Sequence, residues 1–446
     1  MALRLKNTDR HTPLLLPPDL RDWVAEDDLV HFVIQAVERL PLTTFALNHK
    51  GCGDEQYSPH TLLALLIYCY ANGVFSSRRI ERATYRDVAV RYLTADTHPD
   101  HDTICAFRRN NLAAIAAAFV DVLELAKELQ LLSLGMVSLD GTHLKANASK
   151  DKNVTYQRAQ ELLHQAERAD QPDQDPQPLP KELARREKLL EKMELACTRL
   201  EARAQARAAA QRAEYERKVT ARQERGGAGP RPKPPSATPA PDEQINLTDP
   251  DARLMRKSKR EGYTQSYNAQ AVVDTASRLI VGQCLSDCPS DAGQLEPDLQ
   301  SIPAGLGQPS AALADCGFVD REGFKRLRHQ RPALELYVSV HSEDAHAERR
   351  YDYRPPDQIK PPKKITDPGL LAMADKLQTP AGRKIYRLRA STVEPVFGII
   401  KAVLGFRQFL LRGIKKVTGE WNLVCLAYNF KRLHRLGAGL KLAVAG

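Results

Sequence analysis

Three acidic residues stand at positions where a carboxylate can do chemistry. Asp140 lies in MVSLDGTHLKA, a short alternating stretch that reads as a strand with Met136, Ser138 and Asp140 on one face and Val137 and Leu139 on the other. Asp315 ends the strand-like AALAD of AALADCGF; the C-terminal end of a strand is where α/β sheets place their sites. Glu394 precedes Pro395 at the start of a predicted helix, VEPVFGIIKAVLGF. Carboxylates gathered from separate elements repel one another unless a hard cation neutralises them. Mg²⁺ (or Mn²⁺) is held this way, by one or two carboxylates, water and substrate phosphate oxygens. Two such ions about 3.5–4 Å apart activate a nucleophile and stabilise the leaving oxygen of a phosphodiester. Each acid also has a local reading. Asp140 suits an Asx turn with Gly141 and Thr142, Asp315 a turn cap before Gly317, and Glu394 a helix N-terminal anion.

Basic residues crowd the third acid. Tyr386, Arg389, Glu394 and Lys401 follow one another closely. Glu394 and Lys401 are seven residues apart, two helical turns, and so share a helix face. Too far apart to pair directly, they suit a cation-held phosphate and the next phosphate along a strand. The plainer alternative is an amphipathic surface helix burying Val393, Val396, Phe397 and Ile400.

The elements that must position these groups fall into an ordered series. Residues 19–130 read as helical. One helix covers Ser58–Asn72 and ends at Gly73; a second, arginine-rich, starts at Ser76 or Ser77 and carries Arg78 and Arg79; a third starts near Asp102 as its cap. Helix, glycine turn and basic helix outline a helix-turn-helix, with an ordinary bundle and a solvated arginine face as the alternative. After the Asp140 strand, residues 180–225 are dense in Ala, Glu, Arg, Lys and Leu and predict a long exposed helix or helical hairpin. GGAGPRPKPPSATPAPDE (226–243) predicts a flexible linker. Thus 151–245 is an insertion interrupting a β domain. YNAQAVVD (267–274) and LIVGQCL (279–285) predict a hairpin, DREGFKRLRH a helix capped by Asp320, and LELYVSV (334–340) a further strand. Residues 346–389 are basic, Pro-rich and poorly periodic, and two helices close the chain. The order predicts an α/β fold with a mixed sheet.

Composition narrows the function classes. A chain of 446 residues is long enough for roughly two or three domains. A 42% hydrophobic fraction excludes wholesale disorder. The net charge of +10 makes a polyanion a reasonable partner. No apolar run is long enough to span a bilayer, and MALRLKNTDRHTPLLLPPDL is no secretory signal. Eight scattered cysteines fit reduced cytosolic thiols. Cys284 and Cys288 lack the second pair that a zinc site needs. His98, His101 and His143 read as surface or packing residues, although His143 lies close enough to Asp140 in sequence to reach a site phosphate. The 181–225 helix suits either pairing with a second protomer or simple exposure.

Together, YSPHTLLALLIYCYANGVFSSRRIE, HPDHDTICAFRRNN, SLDGTHLKANASK, NLTDPDARLMRK, GYTQSYNAQAVVD, ALADCGFVDREGF and RASTVEPVFGIIK resemble, in this order, the bacterial insertion-sequence transposases of the DDE class whose RNase H-like catalytic domain is split by a helical insert. The resemblance covers most of the chain. It implies an RNase H-like α/β core with a mixed sheet and flanking helices. Its division would be a helical DNA-binding and dimerisation domain at 1–130, the first part of the catalytic domain at 131–150, the insertion at 151–245 and the remaining catalytic domain at 246–446. It implies that Asp140, Asp315 and Glu394 are catalytic and hold Mg²⁺ or Mn²⁺. It implies that Tyr386, Arg389 and Lys401 belong to the family's Tyr-Arg-Glu-Lys motif and contact terminal DNA, with Arg78 and Arg79 as further DNA contacts. Four residues separate Arg389 from Glu394 where related transposases often have three, so Arg387 stands as the alternative. The implied activity is cleavage at the ends of an insertion sequence and joining of the 3′-OH to target DNA. The implied partners are double-stranded DNA, as terminal inverted repeats and target, and a second copy of the chain, in a bacterial cytoplasm at the nucleoid. The rival readings are a nuclease on the same core without strand transfer, and a catalytically decayed DNA-binding protein.

Overall fold

A computed structural model describes residues 19–41, 44–46, 56–169, 186–224, 226, 230–256, 262–341 and 365–438, the side chains of 167–169 and 186–188 excepted. Six helices come first: α1 (Leu29–Glu38), α2 (Pro59–Ala71), α3 (Ser77–Arg86), α4 (Val88–Leu93), α5 (His101–Asn110) and α6 (Leu112–Glu128). The arginine-rich α3 follows the Gly73 turn as its sequence predicts. The third helix differs from its prediction. Asp100, not Asp102, caps it through a 2.6 Å bond from the Thr103 amide, and the helix is interrupted at Asn111 before α6. Asp100 can serve because its extended backbone points the carboxylate back at the free amides of the first turn.

The sheet follows. β1 (Met136–Lys145) is followed by an insertion made of β2 (Asn153–Thr155), α7 (Tyr156–Ala169), α8 (Arg186–Glu224) and β3 (Gln244–Asn246). The sheet resumes with β4 (Arg253–Met255), β5 (Thr264–Asp274) and β6 (Ile280–Ser286). Then come α9 (Leu295–Gln300), β7 (Ala311–Ala314), α10 (Arg321–Gln330), β8 (Glu335–Val338), α11 (Pro368–Gln378), α12 (Pro380–Gly398) and α13 (Ile414–Arg435). The main order is β4-β5-β1-β7-β8, with β6 also pairing β5. β1 runs antiparallel to β5 and parallel to β7, and β7 runs parallel to β8. This is the mixed α/β arrangement of an RNase H-like domain.

α13 is the spine. From Gly419 to Phe430 it is buried throughout, as expected of a helix enclosed on all sides rather than amphipathic. Trp421 donates its indole N–H to the Gln270 carbonyl of β5 at 3.0 Å. The Asn429 amide pairs with both backbone groups of Ile280, at 2.8 and 2.9 Å, beside an irregularity in the β5–β6 register. One apolar core runs from Val30 of α1 through Leu139 and Val272 of the sheet to Leu433 of α13.

The insertion has a smaller core of its own. Val154, Ala159, Leu162, Met193, Ala196, Cys197, Leu200 and Ile245 pack together, and the β2–β3 ribbon joins its two ends. Residues 230–243, predicted from composition as a linker, make no regular element; Pro234, Pro235 and Ala237 line one groove with Ala208, Arg212 and Tyr215 of α8. Among the described residues no helix is long and apolar enough to cross a membrane.

Two expectations for the C-terminal third need correction. Residues 368–389, predicted as poorly periodic, form α11 and the first half of α12; residues 342–364 lie outside the described residues. The helix carrying Glu394 does not begin there. It begins at Pro380, capped by Thr379, and Pro395 sits inside it. Burial of Val393, Val396, Phe397 and Ile400 outweighs the hydrogen bond that the proline deletes. Beyond it Ile399–Val403 form a π turn, which changes the phase of every residue that follows.

Candidate active site

Asp140 stands in the middle of β1, opposite Ala271 of β5, with its Oδ1 accepting the Gly141 amide at 2.9 Å. β7 runs parallel beside it, with Ser138 opposite Leu313. Two residues further along each strand come Asp140 and Asp315. Strand register alone therefore brings the first two predicted acids together. Asp315 immediately follows β7 and its Oδ1 accepts the Gly317 amide at 2.8 Å, so the turn-cap reading describes its local geometry as well. Both acids line one cleft of about 730 Å³, with Thr142, His143, Lys145, Arg256, Asp291, Lys401 and Arg407.

Burial raises the Asp140 carboxyl to about 7, and the negative charge of Asp315 adds to the effect. Arg389 and the Gly141 amide oppose this, and Asp291 adds a further upward push. At neutral pH such a carboxyl is about half protonated, and a bound cation would displace the proton.

Asp291 escaped the sequence reading. It lies in the loop after β6, with no regular element to mark it. Its Oδ1 accepts the Asn268 and Gln270 side-chain amides at 2.8 and 2.5 Å. Both amides project from β5 next to β1, and the rest of each is buried: Asn268 Oδ1 and Gln270 Oε1 have no hydrogen-bond partner. Gly141 makes this packing possible. A Cβ there would strike Asp291 Oδ1 and Gln270 Nε2, and would lie 2.9 Å from Asn268 Oδ1. His143 Nε2 donates to the Pro289 carbonyl at 3.2 Å and ties the same loop to β1. The available sequence signals were Gly141 inside a strand and two buried amides in the alternating run of β5.

Glu394 is placed differently. It is half exposed, does not line the cleft, and lies 3.3 Å from Arg389 Nη2. Arg389 is 7% exposed and its Nη1 is 4.0 Å from Asp140 Oδ2. Arg389, not the exposed Arg387, is the arginine beside the acids. Tyr386 packs with Met136, Leu313 and Tyr337 against the sheet, its ring 5.9 Å from the Arg389 guanidinium carbon. Lys401, in the π turn, donates to the His143 carbonyl at 3.2 Å and to the Thr142 hydroxyl. It faces the cleft that Glu394 does not, so the shared face expected from a regular helix is lost. Arg78 and Arg79 are exposed on α3 and are not among the cleft residues.

The donor set suits a hard cation in part. Asp140 and Asp315 supply oxygens to one cleft, and Asp291 stands beside them. Among the described residues, no three His, Cys, Asp or Glu side chains converge closely enough to hold an ion as they stand.

Comparison with known proteins adds two matches. A family model described as a Transposase DDE domain matches residues 364–434, from the segment before α11 to the end of α13. A second, described as a Transposase domain (DUF772), matches residues 18–110, the N-terminal helices. No curated protein and no solved structure matches the chain.

Proposed function

We propose, from the premise that this chain is an insertion-sequence DDE transposase, that Asp140, Asp315 and Glu394 act at the ends of its element and that the cleft lined by Asp140 and Asp315 handles one DNA strand at a time. The observation that carries this is the juxtaposition of Asp140 and Asp315 by parallel strands on a cleft rimmed by Lys401.

A divalent cation, Mg²⁺ or Mn²⁺, would be held by Asp140 and Asp315, with Glu394 joining once it leaves Arg389. When bound, it would supply Lewis-acid polarisation of the phosphodiester and of the attacking water. The chain's own residues do the rest. Lys401, fixed by Thr142 and His143, places a positive charge where a phosphate would sit. Arg389 orients Asp140 and Glu394. Water attacks phosphorus in line, the bond to the 3′ oxygen breaks, and that oxygen takes a proton to become the free 3′-OH. The 3′-OH then attacks a phosphodiester of target DNA and expels its 3′ oxygen in turn. No serine or tyrosine nucleophile is needed, and catalysis comes from positioning and charge.

In the same reading residues 1–130 bind DNA and dimerise, with Arg78 and Arg79 on phosphates. Residues 131–150 and 246–446 form the catalytic domain, with Tyr386, Arg389 and Lys401 on terminal DNA, and 151–245 the insertion. Two copies of the chain hold two ends in the bacterial cytoplasm.

The test is a supercoiled plasmid carrying the gene and its native flanks, incubated with Mg²⁺ or EDTA, beside Asp315→Asn. Mg²⁺-dependent breaks at the element ends, absent in the variant and followed by joining to other DNA, are the expected result. Breaks without joining would make the protein a nuclease. Binding without breaks in any metal would make it a decayed DNA-binding protein.

A further inference from the structure

Away from the carboxylates the cleft changes sign. Lys145, Lys401, Arg407 and Arg256 line it toward the β4–β5 hairpin. The first three are tied to one another by two backbone hydrogen bonds and one from a side chain. The Lys145 amide donates to the Arg407 carbonyl at 3.2 Å, the Phe409 amide donates to the Lys145 carbonyl at 2.8 Å, and Arg407 Nε donates to the Lys401 carbonyl at 2.9 Å. Arg256 is exposed just after Met255, which pairs with Thr264 of β5, farther along that strand from Ala271 opposite Asp140 than is Ser266 opposite Lys145; its guanidinium carbon lies 4.8 Å above the Tyr263 ring. Tyr263 is 49% exposed, an uncommon position for a large ring, and stands between two cleft residues, Gly262 and Thr264.

An exposed Tyr–Arg pair taken alone would be hairpin-edge packing. Here it stands where a row of cations leaves a cleft floored by acids. Spaced cations with an aromatic face suit an unpaired strand, whose phosphates follow the charges and whose bases are free to stack. A duplex offers the same cations its phosphates but keeps its bases stacked inside. We infer that this edge is a track for an unpaired DNA strand: Lys145, Arg407 and Arg256 hold successive phosphates next to the scissile one, and Tyr263 stacks on a base of that strand. The inference rests on the transposase reading and extends it to residues that reading leaves unused.

The experiment compares two DNAs copied from the sequence flanking the gene, one fully paired and one with its terminal bases unpaired and 2-aminopurine at the first unpaired position. Binding is measured in EDTA, where no cleavage occurs. The wild-type protein should bind the unpaired form more tightly and quench 2-aminopurine. Tyr263→Ala should remove the quench and weaken the unpaired form roughly tenfold, leaving the paired form unchanged. Tyr263→Phe should retain both properties. Arg256→Ala and Arg407→Ala should each reduce the salt dependence of binding by about 0.7 in log–log slope. Circular dichroism of each variant checks the fold. Equal affinity of the wild type for the two DNAs, or an unchanged quench in folded Tyr263→Ala, overturns the track. If Mg²⁺-dependent end cleavage persists and is lost in Asp315→Asn, the transposase reading survives that failure. A wild-type protein that binds neither DNA overturns both.

Discussion

Arg389 and Glu394, five residues apart on α12, form an ion pair of 3.3 Å, and the other end of the same buried guanidinium lies 4.0 Å from Asp140. One cation thus serves two carboxylates from different elements. It lowers the proton affinity of Asp140 against the upward push of burial. The consequence can be read in cation binding. Asp140, raised to about 7, carries a proton below that pH and loses it above. Divalent cation affinity should therefore fall about tenfold for each pH unit below 7 and level off above it, with a proton released on binding. Arg389→Gln removes a lowering charge and should move that midpoint to higher pH. Mn²⁺ binding followed by electron paramagnetic resonance across the range checks both. A flat profile in the wild type would show that Asp140 is no ligand.

Tyr70, Arg108 and Glu420 join α2, α5 and α13 inside the core. Tyr70 donates to Glu420 Oε1 at 3.2 Å, Arg108 donates to the Tyr70 hydroxyl at 2.7 Å and to the Phe75 carbonyl at 3.1 Å, and the Leu410 and Leu411 amides both donate to Glu420 Oε2 at 2.9 Å. Burial raises the Glu420 carboxyl, and Arg108 draws it back. Arg108→Met strands a buried acid and should cost about 3–5 kcal/mol in urea unfolding. Tyr70→Phe should cost about 1 kcal/mol. Adding Glu420→Gln to Arg108→Met should recover part of the loss; strict additivity would mean that the groups do not act together.

Asp298 is fully buried in α9, with the Cys284 thiol beside its carboxylate and no N–H or O–H donor on either oxygen. Burial therefore pushes its carboxyl well above the usual range. The unfolded chain ionises near the ordinary carboxylate value while the folded chain keeps the proton. Stability should fall as pH rises above about 4, until the folded group also ionises. Asp298→Leu has the same branching without the polar atoms. It should raise stability at neutral pH by about 1–3 kcal/mol and flatten that slope. Thermal unfolding at several pH values reads both effects, and an unchanged slope would point to another acid.

Gly141 clears the space that Asp291 occupies. Gly141→Ala should destabilise the protein by about 1–3 kcal/mol through overpacking. The cost should shrink when Asp291→Ala is added, because the obstructing carboxylate is gone. A double-mutant cycle on unfolding free energies measures this, and a zero coupling would place the strain elsewhere.

Periodicity and end signals were enough for much of this protein. The alternation around Asp140 specified β1, the run before Asp315 specified β7, and Asp320 specified the start of α10, because side-chain period and cap chemistry are local properties of the chain. The composition of 186–224 was enough for the long α8. The three acids and Lys401 could be named from residue type and spacing. What spacing could not supply was phase and depth. Pro395 reads locally as a helix start, yet apolar burial carried α12 through it, and the π turn sent Lys401 into the cleft while Glu394 stayed with Arg389. Asp291 had no local mark, since its partners Asn268 and Gln270 reach it only after β5 has paired with β1. Local chemistry determined which groups this chain carries; the pairing of distant strands and the packing of α12 and α13 decided which of them meet, because those contacts form only when the whole sheet is assembled.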